Sequence, residues 1–244
     1  MTDKPKKIRT VAIVMARGGS KGIPRKNLAL LNGKPLLYYA IESGLKCPGI
    51  DRVIVSTDDK EIAEAGRRFG AEVPFMRPSE LAQADTPDRP VMVHLINWLK
   101  ENEGYEFDFL VNLRCTTPLK KPSQVSEAIK AAVGSDCDSL RTVERIQGKH
   151  HPYWMYKMDA EGIASSFVDG IDVAKYHQRQ LLPPAYSVNG LIDVIKVETI
   201  LAGGPLYGRK MKLLETDPLC SLDIDTPEDL IICNAIMEKF NELV

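Results

Sequence analysis

Short apolar runs alternate along the chain with longer stretches of helical periodicity. The runs are continuous and rich in β-branched residues, which is typical of strands buried on both faces. Strands are expected at 8–16, 52–59, 72–77, 108–115, 139–146 and 188–197. Helices are expected at 35–46, 61–70, 89–102 and 122–134, and a closing helix follows the segment SLDIDTPED. This alternation predicts an α/β fold with a doubly wound, mostly parallel sheet.

The alternation fails between residues 148 and 184, where histidine and aromatic residues cluster in HHPYWMYKM. We interpret this range as a small inserted subdomain that makes a homodimer contact, because interface cores are enriched in aromatic residues and methionine. The polar range 1–7 is expected to be a short disordered tail. The remaining range, 8–244, is expected to form one domain that carries the insert.

Composition excludes several classes of protein. Lysine and arginine number 32 against 33 acidic residues, so a nucleic-acid binder with a global basic excess is excluded. No apolar stretch approaches the ~20 residues that cross a bilayer. Five cysteines are widely spaced without a CxxC pair, which indicates reduced thiols in a cytoplasmic protein.

The loop ARGGSKGIPRKN at 16–27 follows the first expected strand. Ligands in such sheets bind beyond the carboxyl ends of the strands, and backbone amides of a glycine-rich turn form an anion cradle. Four cations in this loop, Arg17, Lys21, Arg25 and Lys26, are not interrupted by an acid. The alternative is a flexible turn with solvated charges. The loop lacks the GxGxxG and GxxxxGK[ST] patterns, so we favour a triphosphate held by side chains, and hence nucleotidyl transfer.

Nucleotidyl transfer requires a divalent cation, and Mg²⁺ (or Mn²⁺) prefers carboxylate oxygens. In SLDIDTPED, Asp223 and Asp225 would point to one face of an extended strand. The alternative is helix capping, with Asp225 or Thr226 opening a helix at Pro227. Capping does not account for Asp223 between two apolar residues, so we favour a metal site at Asp223 and Asp225.

These motifs together resemble the N-acylneuraminate (sialic-acid-type) cytidylyltransferases. The resemblance rests, in order, on ARGGSKGIPRKN, STDD, a Thr-Thr-Pro-Leu turn, QRQ, NG and SLDIDTPEDL, and it runs from about residue 9 to about residue 240. It implies a Rossmann-type α/β dimer that transfers CMP from CTP to the anomeric hydroxyl of a 2-keto sugar acid and releases pyrophosphate.

The resemblance also implies roles for individual residues. Triphosphate contacts fall to Arg17, Ser20, Lys21 and Lys26, with Asn27 joining them at the nucleotide. Arg77 is implied near the cytidine, and Arg179 near the reacting centre. Asp223 and Asp225 match metal and sugar-positioning acids. The catalytic set is therefore Arg17, Lys26, Arg179 and Asp223, and the nucleotide set is Arg17, Ser20, Lys21, Lys26, Asn27, Arg77, Thr86, Arg114 and Thr116.

Two positions depart from the family pattern, and the first of them concerns the identity of the sugar more than the reaction. The turn LRCTTP carries Arg114 where a glutamine is common, which adds a charge and a planar donor fork. In DTPDRP, Thr86 is the only hydroxyl residue left near the expected cytosine position. Asp193, on a strand between apolar residues, would face either the sugar or the exposed side of the sheet.

Three functions remain open at this point. The first is activation of a sialic-type 2-keto sugar acid by CMP. The second is activation of an eight-carbon 3-deoxy-2-keto sugar acid, whose enzymes lack the long GGSKGIPRKN run. The third is a nucleotide-binding module without catalysis, against which the retention of both Asp223 and Asp225 argues.

Overall fold

A six-stranded sheet lies at the centre of the computed structural model, which describes residues 7–239. In chain order the strands are β1 (Thr10–Met15), β2 (Leu30–Leu31), β3 (Lys34–Pro35), β4 (Arg52–Ser56), β5 (Phe109–Asn112), β6 (Ser139–Arg145), β7 (Tyr156–Met158), β8 (Ala164–Ser166), β9 (Tyr186–Lys196) and β10 (Met211–Glu215). The helices are α1 (Leu36–Leu45), α2 (Lys60–Arg68), α3 (Asp88–Glu103), α4 (Pro122–Val133), α5 (Val197–Leu201) and α6 (Pro227–Met237).

The central sheet has the strand order β10-β6-β9-β5-β1-β4. β1 pairs in parallel with β4 and β5, and β6 pairs in parallel with β10. β9 is antiparallel to both of its neighbours, β5 and β6. The predicted α/β, mostly parallel sheet is confirmed. The carboxyl ends of β1, β4 and β5 lie at one edge, where their following loops meet.

Helices cover both faces of the sheet because successive strand residues point to opposite sides. In β1, Ala12 and Val14 pack with α1 and α4 in one core, while Val11 and Ile13 pack with α3 in the other. All four of these side chains are fully buried. The continuous apolar runs in the sequence are therefore explained by two cores that share one sheet.

Three local predictions differ from the structure. The range 72–77 is not a strand and makes only a single bridge, between Glu72 and Ile54, because Pro74 has no amide hydrogen to donate to a sheet. Residues 222–225 are irregular, so Asp223 and Asp225 do not alternate on a strand. The edge strand β10 had no counterpart in the sequence-based prediction. Within residues 7–239, no helix is both long and apolar enough to span a bilayer.

The insert at 148–184 has little regular structure apart from the antiparallel hairpin of β7 and β8. Its interior contains the fully buried His151, which accepts a hydrogen bond from the amide of Tyr153 at Nδ1 and contacts the carbonyl of Pro183 through Nε2. His151 therefore packs the insert, with Nδ1 accepting and Nε2 donating a hydrogen bond. The tail predicted at 1–7 lies outside the described residues except for Lys7, which pairs with Asp51.

Candidate functional site

A cavity of about 560 Å³ lies where the loops after β1 and β5 meet the segment before α6. Its volume is within the range typical of small-molecule sites. Ten of the predicted site residues line it: Arg17, Ser20, Lys21, Lys26, Asn27, Arg77, Thr86, Arg114, Thr116 and Asp225. The cavity therefore brings together residues that are far apart in the sequence, since Arg17 and Asp225 are separated by 208 positions.

The glycine-rich loop after β1 is fixed at both ends by polar contacts. The Nη1 of Arg17 donates to the carbonyl of Gln83 at 2.7 Å, and the amide of Gly18 donates to Asp58 Oδ1 at 3.0 Å. Asn27 is buried and donates through Nδ2 to the carbonyl of Arg17 at 2.9 Å. Asn27 lines the cavity, and the hydrogen bond from its side-chain amide to Arg17 joins the two ends of the loop.

Lys26 joins this loop to the segment before α6. Its ammonium group donates to Asp225 Oδ1 at 2.7 Å and to the carbonyl of Ile224 at 3.0 Å. The backbones approach closely at the same place, since a Cβ on Gly22 would lie only 2.2 Å from the carbonyl oxygen of Asp225. Glycine at position 22 is therefore required by contact with Asp225.

The cations of the loop divide into two groups. Arg25 turns away from the cavity and forms ion pairs with Asp59 at 3.0 Å and Glu61 at 2.9 Å. Ser20 and Lys21 line the cavity and have no hydrogen-bonding or ionic partner within residues 7–239. Arg25 is therefore neutralised by the protein itself and needs no anionic ligand, whereas the charge of Lys21 faces the cavity unpaired.

Asp223 and Asp225 flank the buried Ile224, whose amide donates to the carbonyl of Thr116 at 2.8 Å. Asp223 keeps contact with solvent but is crowded by protein, and this desolvation raises the pKa of Asp223. Repulsion from Asp225 acts in the same direction, while a hydrogen bond with Thr116 opposes both. Thr226 caps α6 with Asp229 in a capping box, so Asp223 and Asp225 are both left free of a capping role.

The donor set fits a magnesium ion that shares its ligands with a substrate. Within the described part of the chain, no group of three or more histidine, cysteine or acidic residues is arranged to hold a metal. Mg²⁺ commonly binds through one or two carboxylates together with substrate phosphates and waters. Asp225 lines the cavity and Asp223, two positions before it, does not, so the protein offers one or two carboxylates there, and the cation-rich loop across the cavity is suited to phosphate.

Arg77 lies at the cavity but is occupied by the protein. The side chain is buried, and it donates to the hydroxyl and the carbonyl of Ser56 and to the carbonyl of Leu81. Burial lowers the pKa of Arg77 to about 10, which leaves the guanidinium charged at neutral pH. Arg77 therefore ties the end of β4 to the loop of residues 78–87, on which Thr86 lies.

Arg114 and Asp193 belong to one buried polar network. Arg114 Nη2 donates to Asp88 at 2.8 Å and lies 3.5 Å from Asp193 Oδ2, while Arg141 Nε donates to Asp193 Oδ1 at 2.9 Å. Asp193 is only 1 % exposed. Asp193 is therefore not on the exposed side of the sheet, which the sequence had left open. It lies inside the protein and orients arginines.

Arg179 lies in a different cavity, of about 330 Å³, at the return of the insert. That cavity also contains Arg145, Gly148 and Pro183. Within one chain, the structure therefore does not bring Arg179 together with Lys26 and Asp225. Its predicted place near the reacting centre stays a prediction, which needs either a second copy of the chain or a movement of the insert.

Sequence analysis missed a buried lysine beneath the site. Lys120 is 5 % exposed and donates to the carbonyls of Arg114 and Thr117, so it fixes the turn that carries Arg114 and Thr116. Burial lowers the pKa of Lys120 to about 7, and the nearby Cys115 and Asp223 oppose that shift. The signal in the sequence was a pair of lysines directly after the Thr-Thr-Pro-Leu turn, which is indistinguishable from a solvated pair without the fold.

Comparison with known proteins finds matches that span nearly the whole chain. The model of a family described as "Cytidylyltransferase" matches residues 11–243. A CMP-N,N'-diacetyllegionaminic acid synthase of Legionella pneumophila is 30% identical over 236 residues, which cover 96% of this chain and 99% of that protein. An N-acylneuraminate cytidylyltransferase of Streptococcus agalactiae is 28% identical over 92% of this chain, which spans only 52% of that longer relative.

A solved structure supports the fold independently. The structure of a CMP:2-keto-3-deoxy-manno-octonic acid synthetase in complex with CTP matches with a TM-score of 0.70. The match covers 95% of this chain and 99% of that one at 18% sequence identity. At this identity the likeness establishes the fold alone.

The contacts of Arg77 predict a structural effect of its removal. Arg77→Met should lower the free energy of unfolding by about 1–3 kcal/mol, because buried carbonyl acceptors lose their donor. Amides of residues 78–87 should exchange hydrogen faster in the variant. Arg68→Met, at an exposed position of α2, is the matched control and should change neither quantity. Unchanged stability and exchange in Arg77→Met would show that Arg77 does not hold the loop.

Proposed function

Since the chain belongs to the cytidylyltransferase family and is therefore a nucleotidyltransferase, we propose that it transfers CMP from CTP to the anomeric hydroxyl of a sialic-type 2-keto sugar acid. Pyrophosphate is the second product. The observation that carries the proposal is the single cavity that joins the cationic loop, with its unpaired Lys21, to Asp225. Relatives of nearly the same length that act on a legionaminic acid support the choice of an acidic nine-carbon sugar.

In the proposed reaction, the oxygen of the sugar's C2 hydroxyl attacks the α-phosphorus of CTP. The new bond joins the C2 oxygen to the α-phosphorus, and the bond that breaks joins the α-phosphorus to the bridging oxygen of the leaving pyrophosphate. Arg17, Lys21 and Lys26 bind phosphate oxygens, and their charges offset the negative charge that accumulates on the leaving group. Lys26 exchanges its contact with Asp225 for a phosphate oxygen when the nucleotide enters.

The hydroxyl must lose a proton as it attacks. Asp223 is the group that we assign to orient this hydroxyl and to accept its proton. Asp225 and Asp223 are also the residues that would hold Mg²⁺ or Mn²⁺. When bound, the cation would supply positive charge to the phosphate oxygens.

The five cysteines of the chain are all buried and unpaired. We infer a reducing compartment, the cytoplasm, from this pattern, since paired cysteines are the rule in oxidising ones. Neither a nucleic acid nor a membrane is required by the proposed reaction.

The proposed reaction is tested by a substrate panel. With Mg²⁺ and CTP, we expect pyrophosphate release to depend on a nine-carbon acid such as N-acetylneuraminic or legionaminic acid. Asp225→Asn should lose turnover by about two orders of magnitude or more while CTP binding falls less, because the carboxylate acts mainly on charge that develops during the reaction. Glu228→Gln, at an acid in the first turn of α6 that does not line the cavity, is the control.

Other outcomes of the panel are equally informative. Activity with an eight-carbon 3-deoxy-2-keto acid alone would transfer the assignment to that substrate class. CTP binding without turnover of any acid would indicate a nucleotide-binding module that has lost catalysis.

The close contact at Gly22 gives a second prediction. Gly22→Ala should lower kcat/KM for CTP at least tenfold, because a methyl group 2.2 Å from the carbonyl oxygen of Asp225 must push the loop and this segment apart. Gly19→Ala is the matched control, because a Cβ at Gly19 meets nothing within 4 Å. Equal losses in the two variants would mean that loop flexibility matters and the contact with Asp225 does not.

We also propose that the chain forms a homodimer through its insert. The hairpin of β7 and β8 and the segment after it expose large apolar side chains, including Met158 (76 %), Ile163 (66 %) and Phe167 (52 %). Surfaces of this kind are usual at protein interfaces. Within the aromatic cluster named from the sequence, Tyr153 packs on Tyr176 and Trp154 donates to the carbonyl of Tyr176 inside the insert, whereas Tyr156 is 57 % exposed.

Sedimentation equilibrium at micromolar concentration should give a dimer for the native chain and a monomer for Met158→Lys combined with Ile163→Lys, since two buried charges oppose an apolar interface. Leu201→Lys, at a comparably exposed leucine of α5, should remain dimeric. A native monomer would reject the assembly.

A separate experiment tests whether Arg179 serves the partner's site. Arg179→Ala chains are mixed with Asp225→Asn chains, and recovered activity indicates that the two residues serve one site from different subunits. No recovery in confirmed mixed dimers places both residues in the same chain.

A further inference from the structure

The floor of the candidate site contains an amide whose orientation is set by Asp193. Asn112, the last residue of β5, is 1 % exposed and lies opposite Asp193 in the pairing of β5 with β9. Its Nδ2 approaches Asp193 Oδ2 at 3.4 Å. Asp193 Oδ2 also accepts from the hydroxyl of Tyr207 at 3.3 Å, while Oδ1 accepts from Arg141. All partners of this carboxylate are therefore donors.

This environment permits only one orientation of the Asn112 amide. A 180° rotation about the last side-chain bond would turn the amide oxygen of Asn112 toward the carboxylate of Asp193, and two acceptors would then face each other. The Nδ2 must point to Asp193, so Oδ1 points the other way. In that position Oδ1 is buried and has no hydrogen-bond partner within residues 7–239.

An unpaired buried acceptor is costly and therefore uncommon in native proteins. Asn112 lines the same 560 Å³ cavity as Lys26 and Asp225, so a ligand bound there lies next to this residue. A hydrogen-bond donor on a bound ligand, placed next to Oδ1 of Asn112, would remove this free-energy cost. Apolar side chains of Met15, Leu81 and Val91 also line the cavity, and they are suited to pack against a planar ring.

We propose that Asn112 is a substrate-binding residue whose amide oxygen accepts a hydrogen bond from an N–H or O–H group of the bound substrate. The amino group of cytosine is the donor that we favour, because the apolar walls of the cavity suit a base and uracil has a carbonyl oxygen in its place. A hydroxyl or amide of the sugar acid is the other source of the same chemistry. The inference rests on the proposed function for the identity of both substrates.

Two variants remove the acceptor in different ways. Asn112→Leu keeps the approximate size and shape of the side chain, and Asn112→Ala leaves space in case leucine does not fit. Asn102→Leu is the matched control, because Asn102 lies on α3 away from the cavity and is exposed. Thermal unfolding without ligand checks that each variant folds. In that state Oδ1 has no hydrogen-bond partner, so it should contribute no stability to the native chain.

The first arm measures CTP and UTP binding by calorimetry without metal or sugar acid, so it does not depend on turnover. If the donor belongs to the base, both Asn112 variants should bind CTP about tenfold more weakly, the effect of about one hydrogen bond, with UTP binding unchanged. The second arm measures the KM for the sugar acid at saturating CTP. If the donor belongs to the sugar acid, that KM should rise about tenfold while CTP binding stays native.

Native CTP binding and native sugar KM in folded Asn112→Leu or Asn112→Ala would overturn the inference. Failure of the proposed function looks different: the native chain then binds CTP but turns over no sugar acid, and the first arm still tests Asn112. A native chain that binds neither nucleotide overturns both.

Discussion

The candidate site depends on one contact between distant parts of the chain. The loop after β1 and the segment before α6 meet at Gly22 and Asp225, where only a hydrogen atom fits between the two backbones. Lys26 reinforces the contact by bonding both to the carbonyl of Ile224 and to the carboxylate of Asp225. The cationic side of the cavity is thus placed next to its acidic side. Both are displaced if this contact opens.

The second constraint is electrostatic. Cations and carboxylates lie close together at the cavity, but they neutralise each other's charge only in part. Lys26 and Asp225 form a pair, but Asp225 remains 70 % exposed and its partner has a second, neutral acceptor. Lys21 has no partner at all within residues 7–239. A phosphate that enters this cavity finds donors already in position, so less of its binding energy is spent on rearranging the protein. The same arrangement costs stability when no ligand is present.

Much of the fold was predictable from the sequence, because both faces of its strands are buried. Val11 to Val14 form a run without a polar residue, and such runs are recognised whichever face each residue occupies. The range 72–77 was predicted wrongly, since Val73 and Phe75 pack into the two cores from an irregular segment in which Pro74 prevents strand pairing. β10 was missed because its outward residues, Met211 and Leu213, are apolar and remain exposed at the sheet edge. That pattern resembles neither a buried strand nor an amphipathic one.

The site was predictable to the extent that its residues act locally. Residues of the glycine-rich loop are identified by their spacing, whereas the partners that separate Arg25 from Lys21 are known only from the fold. Arg25 pairs with Asp59 and Glu61, which lie more than thirty positions along the chain. Likewise, nothing in the sequence around Asn112 distinguishes it from a polar residue at the end of a strand.

Asp193 shows why such residues need the three-dimensional structure. As a buried carboxylate it is stable only with several donors, and it obtains them from β5, β6 and the segment before β10. Those donors are thereby fixed in orientation, and Asn112 lines the cavity, as does Arg114, whose Nη2 lies 3.5 Å from Asp193 Oδ2. The charge of Asp193 is used entirely inside the protein, yet it decides which atoms of its neighbours face the substrate. A substitution at Asp193 would therefore alter recognition without removing any group that touches the ligand.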